Sequence, residues 1–135
     1  SLYRSILDSV AFEYSIYRNI LSGLYSGFTP QELRVTGGGE KSAVWNQIKA
    51  NVLSMPVVSV GGGGAPMGSA MLAGLGTGVF DGLTVASERW ITRGAVAEPL
   101  SELRSVYERR AGRYADLLDL LNGFGQGVID GTALK

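Results

Sequence analysis

The stretch Leu33-Arg34-Val35-Thr36-Gly37-Gly38-Gly39-Glu40-Lys41-Ser42-Ala43-Val44-Trp45 decides how this chain is read. A short β-prone run meets three consecutive glycines and passes into a segment with helical character. Glycine has no Cβ, so the backbone can turn tightly there and a ligand can approach its N–H groups. A helix that starts just beyond such a turn directs its partial positive end at whatever occupies the loop. That arrangement suits an anion, and a nucleotide phosphate in particular.

The neighbouring segments place this turn in a βαβ unit. Glu32 to Thr36 reads as a buried strand and Lys41 to Leu53 as a helix with Val44, Ile48 and Val52 on one side. Pro56 to Val60 (Pro-Val-Val-Ser-Val) reads as a second strand. Strand, helix and strand in so short a span imply parallel pairing with a right-handed crossover. Upstream, Leu2, Ile6, Val10, Tyr14, Tyr17, Leu21 and Leu24 recur at spacings of three and four. That pattern predicts a long helix ending near Gly23 with these residues as its apolar face. Phe28-Thr29-Pro30 predicts a turn, because the residue before proline avoids the helical region.

Downstream, Pro66 to Leu75 reads as a helix with proline in its first turn, where its missing N–H has no intrahelical partner. Gly68, Ser69, Ala70 and Ala73 keep one side of it thin, which predicts close packing at Gly68. Val79 to Ala86 predicts a turn, signalled by Asp81-Gly82, with a short helical piece. Arg89 to Arg93 predicts a short extended segment. After Glu98-Pro99, apolar residues at 100, 103, 107, 111, 114, 118 and 121 predict a long helix closing near Gly123. The tail Phe124 to Lys135, with Gly125, Gly127, Asp130 and Gly131, predicts fraying. The fold class is α/β, with helices covering a small, mainly parallel sheet.

Composition narrows the chemistry. The chain has 135 residues, enough for one domain with a real core. Hydrophobic residues make up 45%, and Lys+Arg and Asp+Glu balance at 12 each, so no nucleic acid or acidic membrane surface is indicated as partner. There is no cysteine and no histidine. Ser-His-Asp and Cys-His catalysis and thiolate zinc sites are therefore excluded within this chain. No apolar run reaches the ~18 residues of a membrane span and no signal peptide opens the sequence, so the expected location is cytoplasmic.

Two common phosphate motifs fail on inspection. A Walker A loop needs glycine directly before Lys41, where Glu40 stands, and a dinucleotide fingerprint needs a third glycine where Ser42 stands. Lys41 lies close enough to the turn to reach a phosphate, although lysines at a helix start are usually solvated. Trp45 is a core residue at such a position more often than a stacking platform. Asp8 and Glu13 read as surface charges. Arg104, Arg109, Arg110 and Arg113 interleave with Glu102, Glu108 and Asp116, as on a solvated, self-paired helix face.

The run Val35-Thr36-Gly37-Gly38-Gly39 with Ser42 and Trp45 resembles the adenosine-binding motif of the FGGY carbohydrate kinases, most closely the xylulose kinases. The likeness extends through Gly61-Gly62-Gly63-Gly64-Ala65-Pro66-Met67-Gly68-Ser69-Ala70-Met71-Leu72-Ala73, where that family has a glycine-rich turn running into a Pro-x-x-Gly-Ala-Ala helix. Related kinases usually carry an acidic residue in this second loop, and none stands here.

The resemblance implies an actin-like, ribonuclease-H-like ATPase fold whose C-terminal, nucleotide-binding domain supplies all of residues 1–135. It implies ATP or ADP as ligand, with Mg2+ held mainly by upstream residues. Gly37 and Gly38 would lie against the phosphates, and Gly39 and Ser42 toward the adenosine. It further implies that the catalytic aspartate and the sugar pocket stand upstream, in an N-terminal domain absent from this chain. Sugar would then be met only through that domain. The expected apolar surface left by its absence predicts a homo-oligomer.

Overall fold

The computed structural model describes residues 1–61 and 64–129, with side chains described as far as residue 123. Five helices and three strands follow one another: α1 (Leu2–Leu24), β1 (Leu33–Val35), α2 (Ala43–Leu53), β2 (Val57–Gly61), α3 (Gly64–Gly76), α4 (Leu83–Trp90), β3 (Thr92–Ala97) and α5 (Arg104–Ile129). Short 3-10 turns at Gly38–Lys41 and Ser101–Leu103 lead into α2 and α5.

The βαβ unit forms as its pattern predicts. β1 and β2 pair in parallel, with Leu33 opposite Val57, Arg34 opposite Val58 and Val35 opposite Ser59. β2 is the central strand, and Val57 and Val58 are fully buried. The third strand departs from the expected mainly parallel sheet. β3 runs antiparallel to β2, pairing Val57 with Ala97 and Gly61 with Thr92, so the sheet is mixed. The cause lies in the preceding segment. Phe80 is buried, and the Trp90 ring meets it edge-on at 4.8 Å. Arg89 and Trp90 therefore complete α4 rather than begin an extended segment. The chain turns at Ile91 and runs back along the free edge of β2.

Two clusters form the core. The larger joins Ala11 and Phe12 of α1, Ile48 and Val52 of α2 and Tyr107 of α5, with Trp45 and Tyr114 packed around them. The smaller joins Met71, Phe80 and Ala86. Gly74, and not Gly68, marks the close approach near α3: a Cβ on Gly74 would stand 2.6 Å from the Phe80 ring, whereas one on Gly68 would meet nothing within 4 Å.

α1 overturns its sequence reading. Its buried residues are Ala11, Phe12 and Ser15. The stripe expected to face the core points largely outward instead, with Leu2 at 82% and Leu24 at 70% exposure. The charges of α1 face the domain. Arg4 donates to Asp8 at 2.9 Å and to the Tyr107 hydroxyl at 2.6 Å. Arg18 donates to the Leu53 carbonyl at the end of α2 at 2.7 Å. Glu13 accepts from the Tyr114 hydroxyl at 2.7 Å. Asp8, with its side chain only 14% exposed, also lies 4.0 Å from Arg110. Asp8 and Glu13 are thus not free surface charges but links between α1 and α5.

The approach to α5 is pinned by α2. Asn51 Oδ1 accepts from the Leu100 amide at 2.8 Å, and Gln47 Nε2 donates to the Glu98 carbonyl at 2.6 Å. Leu100 and Leu103 accordingly precede α5 instead of opening it. The helix runs past Gly123 to Ile129, so the expected fraying does not begin at Phe124; its remainder, residues 130–135, lies outside the described residues. On α5, Arg104 and Glu108 pair at 2.9 Å, as the alternating charges suggested.

The hydrogen bond to Glu13, followed by partial burial, pushes the Tyr114 phenol up from 10.0 to about 12. The folded state favours the protonated phenol. Its contribution is therefore complete below pH ~10 and disappears as the pH rises towards ~12. Tyr114→Phe should lower unfolding stability by about 1 kcal/mol at neutral pH. Urea melts should show that difference shrinking above pH ~10; a difference independent of pH would contradict the assignment.

Candidate functional site

The glycine turn sits where β1 ends and α2 begins, at the carboxyl end of the parallel pair. Open α/β sheets commonly bind ligands at that edge. Two of its three glycines have a structural reason to be there. Gly37 has φ 87° and ψ −167°, a backbone that residues with a Cβ rarely adopt. Gly39 is packed on Trp45: a Cβ there would lie 2.5 Å from the indole ring. Gly38 has neither reason. Its φ is not positive, a Cβ would meet nothing within 4 Å, and the residue is exposed.

The amides divide in the same way. The Glu40 N–H donates to the Gly37 carbonyl at 3.2 Å, and the Ser42 N–H to the Gly39 carbonyl at 3.4 Å. Among the described residues, the amides of Gly37, Gly38 and Gly39 donate no such backbone bond. Three consecutive donors are left open at an exposed turn, in front of the amino end of α2.

Ser42 is half-buried and serves as the α2 cap. Its hydroxyl accepts from the Trp45 N–H at 3.3 Å, and its carbonyl accepts from the Asn46 N–H at 2.9 Å. This is the ordinary use of serine at such a position. The hydroxyl proton remains available to donate. Trp45 packs against the larger core cluster, in agreement with the core reading of its sequence position. Lys41 is exposed and makes no ion pair among the described residues.

Two depressions flank the turn and share Arg34, Val35 and Thr36. One, of about 290 Å³, is mostly apolar and lies between β1 and the start of α3, bordered by Val35, Val60, Gly64, Met67 and Ile91. The other, of about 320 Å³, lies on the α1 and α2 side and is bordered by Tyr14, Gly39, Glu40, Trp45 and Lys49. Gly68 lines the first depression. In the second glycine run, Gly61 ends β2 and Gly64 begins α3, while Gly62 and Gly63 lie outside the described residues.

Sequence reasoning missed what lies beneath the turn. Asn46 is buried, and its Nδ2 donates to the Glu40 carbonyl at 2.7 Å and lies 3.5 Å from Ser59 Oγ. Lys49 is only 2% exposed. Its ammonium donates to Asn46 Oδ1 at 3.2 Å and stands 3.8 Å from the centre of the Trp45 ring. Burial holds its pKa below the usual lysine range. Polar residues on the inner side of a helix between two strands were the available signal. Among the described residues, no group of three or more carboxylate, imidazole or thiol side chains could hold a metal ion.

This geometry separates the roles of the glycines experimentally. Gly39→Ala should destabilise the fold by about 1–3 kcal/mol through the clash with Trp45. Gly38→Ala should leave stability within about 1 kcal/mol of the wild type, since the site is open and its φ suits alanine. Urea melts of the two variants check this, and equal effects would contradict it.

Comparison with known proteins places the arrangement. Residues 1–77, more than half of the chain, match the C-terminal domain of the FGGY family of carbohydrate kinases. The chain is similar to an autoinducer-2 kinase of Klebsiella pneumoniae, with 33% identity over 103 residues covering 73% of this chain and 19% of that protein. It is similar to a xylulose kinase of Staphylococcus epidermidis, with 28% identity over 131 residues covering 88% of this chain and 26% of that protein. Among solved structures, it superposes on a xylulose kinase from Rhodospirillum rubrum with a TM-score of 0.74 and 28% identity, covering 91% of this chain and 25% of that one. A gluconate kinase from Lactobacillus acidophilus shares the fold at a TM-score of 0.72 and 20% identity, covering 89% and 24%. The chain thus spans about a fifth to a quarter of the relatives it matches. With its βαβ unit, its glycine turn and this match, the chain belongs to the FGGY family of carbohydrate kinases, as part of their C-terminal domain, in an actin-like ATPase fold.

Proposed function

We propose that this chain is the ATP-binding part of a sugar kinase that transfers the γ-phosphate of ATP to a hydroxyl of a pentulose such as D-xylulose. The observation that carries the reading is Gly38. Neither backbone conformation nor packing requires a glycine there, yet it lies between two others in a turn whose three amides are open. A ligand that comes close to the backbone supplies the missing reason. In this reading Gly37 and Gly38 receive the phosphates, and Gly39 and Ser42 lie toward the adenosine, with the Ser42 hydroxyl proton free to donate.

The base that takes the sugar hydroxyl proton, the sugar pocket and most of the magnesium ligands belong to the N-terminal domain. When bound, magnesium would supply neutralisation of the phosphate charge during transfer. This chain's own work is to bind the nucleotide, fix the direction of its phosphates and move with it as the two domains close. D-xylulose is preferred on the likeness of the glycine turn to the xylulose kinase branch, and xylulose kinases are among the similar proteins. No described helix is long and apolar enough to cross a membrane, in keeping with a cytoplasmic enzyme. The outward apolar stripe of α1 supports self-association of the isolated chain.

Incubated alone with ATP, magnesium and D-xylulose, the chain should form no sugar phosphate; robust turnover would refute its reading as a non-catalytic part. ATP or ADP should raise its melting temperature by a few degrees, about the effect of a ligand well above its Kd. No shift at millimolar nucleotide would favour a purely structural module. A shift with a parent protein that lacks sugar kinase activity would favour a non-catalytic, actin-like nucleotide-binding scaffold. Sedimentation should show association that grows with concentration, and Tyr17→Glu on the outward face of α1 should abolish it.

A further inference from the structure

We infer that Lys49 is a positioning residue for the glycine turn, acting through Asn46 and Trp45. The inference rests on the reading of that turn as a nucleotide site. Two side chains hold the turn from below: the Asn46 amide, through the Glu40 carbonyl at 2.7 Å, and the Trp45 ring, on which Gly39 packs. The Lys49 ammonium contacts both, at 3.2 Å from Asn46 Oδ1 and 3.8 Å from the Trp45 ring centre.

The contact with Asn46 reinforces the orientation of its amide that the Glu40 carbonyl also demands. With Oδ1 accepting from the ammonium, Nδ2 is the end that faces the Glu40 carbonyl. Without the ammonium, Oδ1 loses its donor, and only the Glu40 carbonyl and the Ser59 hydroxyl hold the amide in place. The contact with Trp45 holds the ring on which Gly39 is seated.

The fold alone gives little reason for this lysine. It is 2% exposed and has no ion-pair partner among the described residues. A buried, unpaired charge destabilises, and an apolar side chain of similar length would serve the core better. A residue that works against stability while gripping both supports of the turn is placed for the turn. The groups facing the same cavity are Tyr14 from α1, Arg34 from β1 and Glu40 from the turn itself. None of them pairs with the ammonium in the structure.

The test uses the 135-residue chain, with ADP binding followed by calorimetry and stability by urea melts. Lys49→Met keeps the stem and removes the charge. Its midpoint should equal or exceed the wild type's, while ADP binds about tenfold more weakly. Asn46→Asp should pair with Lys49 and hold the fold, yet it presents only oxygen to the Glu40 carbonyl, so ADP should again bind about tenfold more weakly. If Lys49→Met fails to fold, Asn46→Asp carries the test. Wild-type ADP affinity in the folded variants, or a loss of affinity that follows a matching loss of stability, overturns the inference. A folded wild-type chain that binds no ADP overturns the nucleotide reading on which it rests.

Discussion

The seating of Gly39 on Trp45 couples the glycine turn to the core. It joins the larger core, against which Trp45 packs, to a turn whose backbone leaves three consecutive donors open. A Cβ at position 39 would lift the turn off the ring. The 3-10 turn, the Ser42 cap and the start of α2 would then lose their common support. The packing also explains how a run of three glycines, flexible by composition, is held in one shape. Gly37 supplies the bend, Gly39 the close approach, and Asn46 fastens the carbonyl beyond them. Donors fixed in this way need little reorganisation to receive an anion, which is the basis of electrostatic preorganisation.

The surroundings of the turn divide the labour. β2, buried at Val57 and Val58, fixes the parallel partner of β1 and so the height of the turn above the sheet. α2 connects the turn to both outer helices, through Ile48 and Val52 in the core and through Asn51 at the approach to α5. α1 holds its charged residues against the domain and leaves its apolar stripe outside. That apolar outer face is the one the proposed self-association would cover.

The glycine turn, the helix after it and the parallel pair were legible in the sequence because each has a local cause. Three glycines force a turn, Ser42 is a preferred cap, and a strand-helix-strand run of this length pairs in parallel. What escaped depends on long-range partners. The repeat of Leu2, Ile6, Val10, Tyr17 and Leu24 is real, but periodicity cannot say which side of a helix meets the core when Ala11, Phe12 and Ser15 make a smaller rival face. Val44, counted with Ile48 and Val52, is 63% exposed for the same reason. The antiparallel β3 follows from the contact of Trp90 with Phe80, which has no periodic signature. Lys49 escaped because a lone lysine carries no local signal of burial; its burial follows from sharing a helix with Ile48 and Ala50.

The central claim is that the open amides of the glycine turn receive the phosphates of a nucleotide. Amide proton and nitrogen shifts of the 15N-labelled chain, followed during titration with ADP, test it most directly. The largest saturable shifts should fall on Gly37, Gly38 and Gly39, with smaller ones at Ser42 and along the first turn of α2. Saturable shifts centred elsewhere, or a spectrum that ADP leaves unchanged, would contradict it.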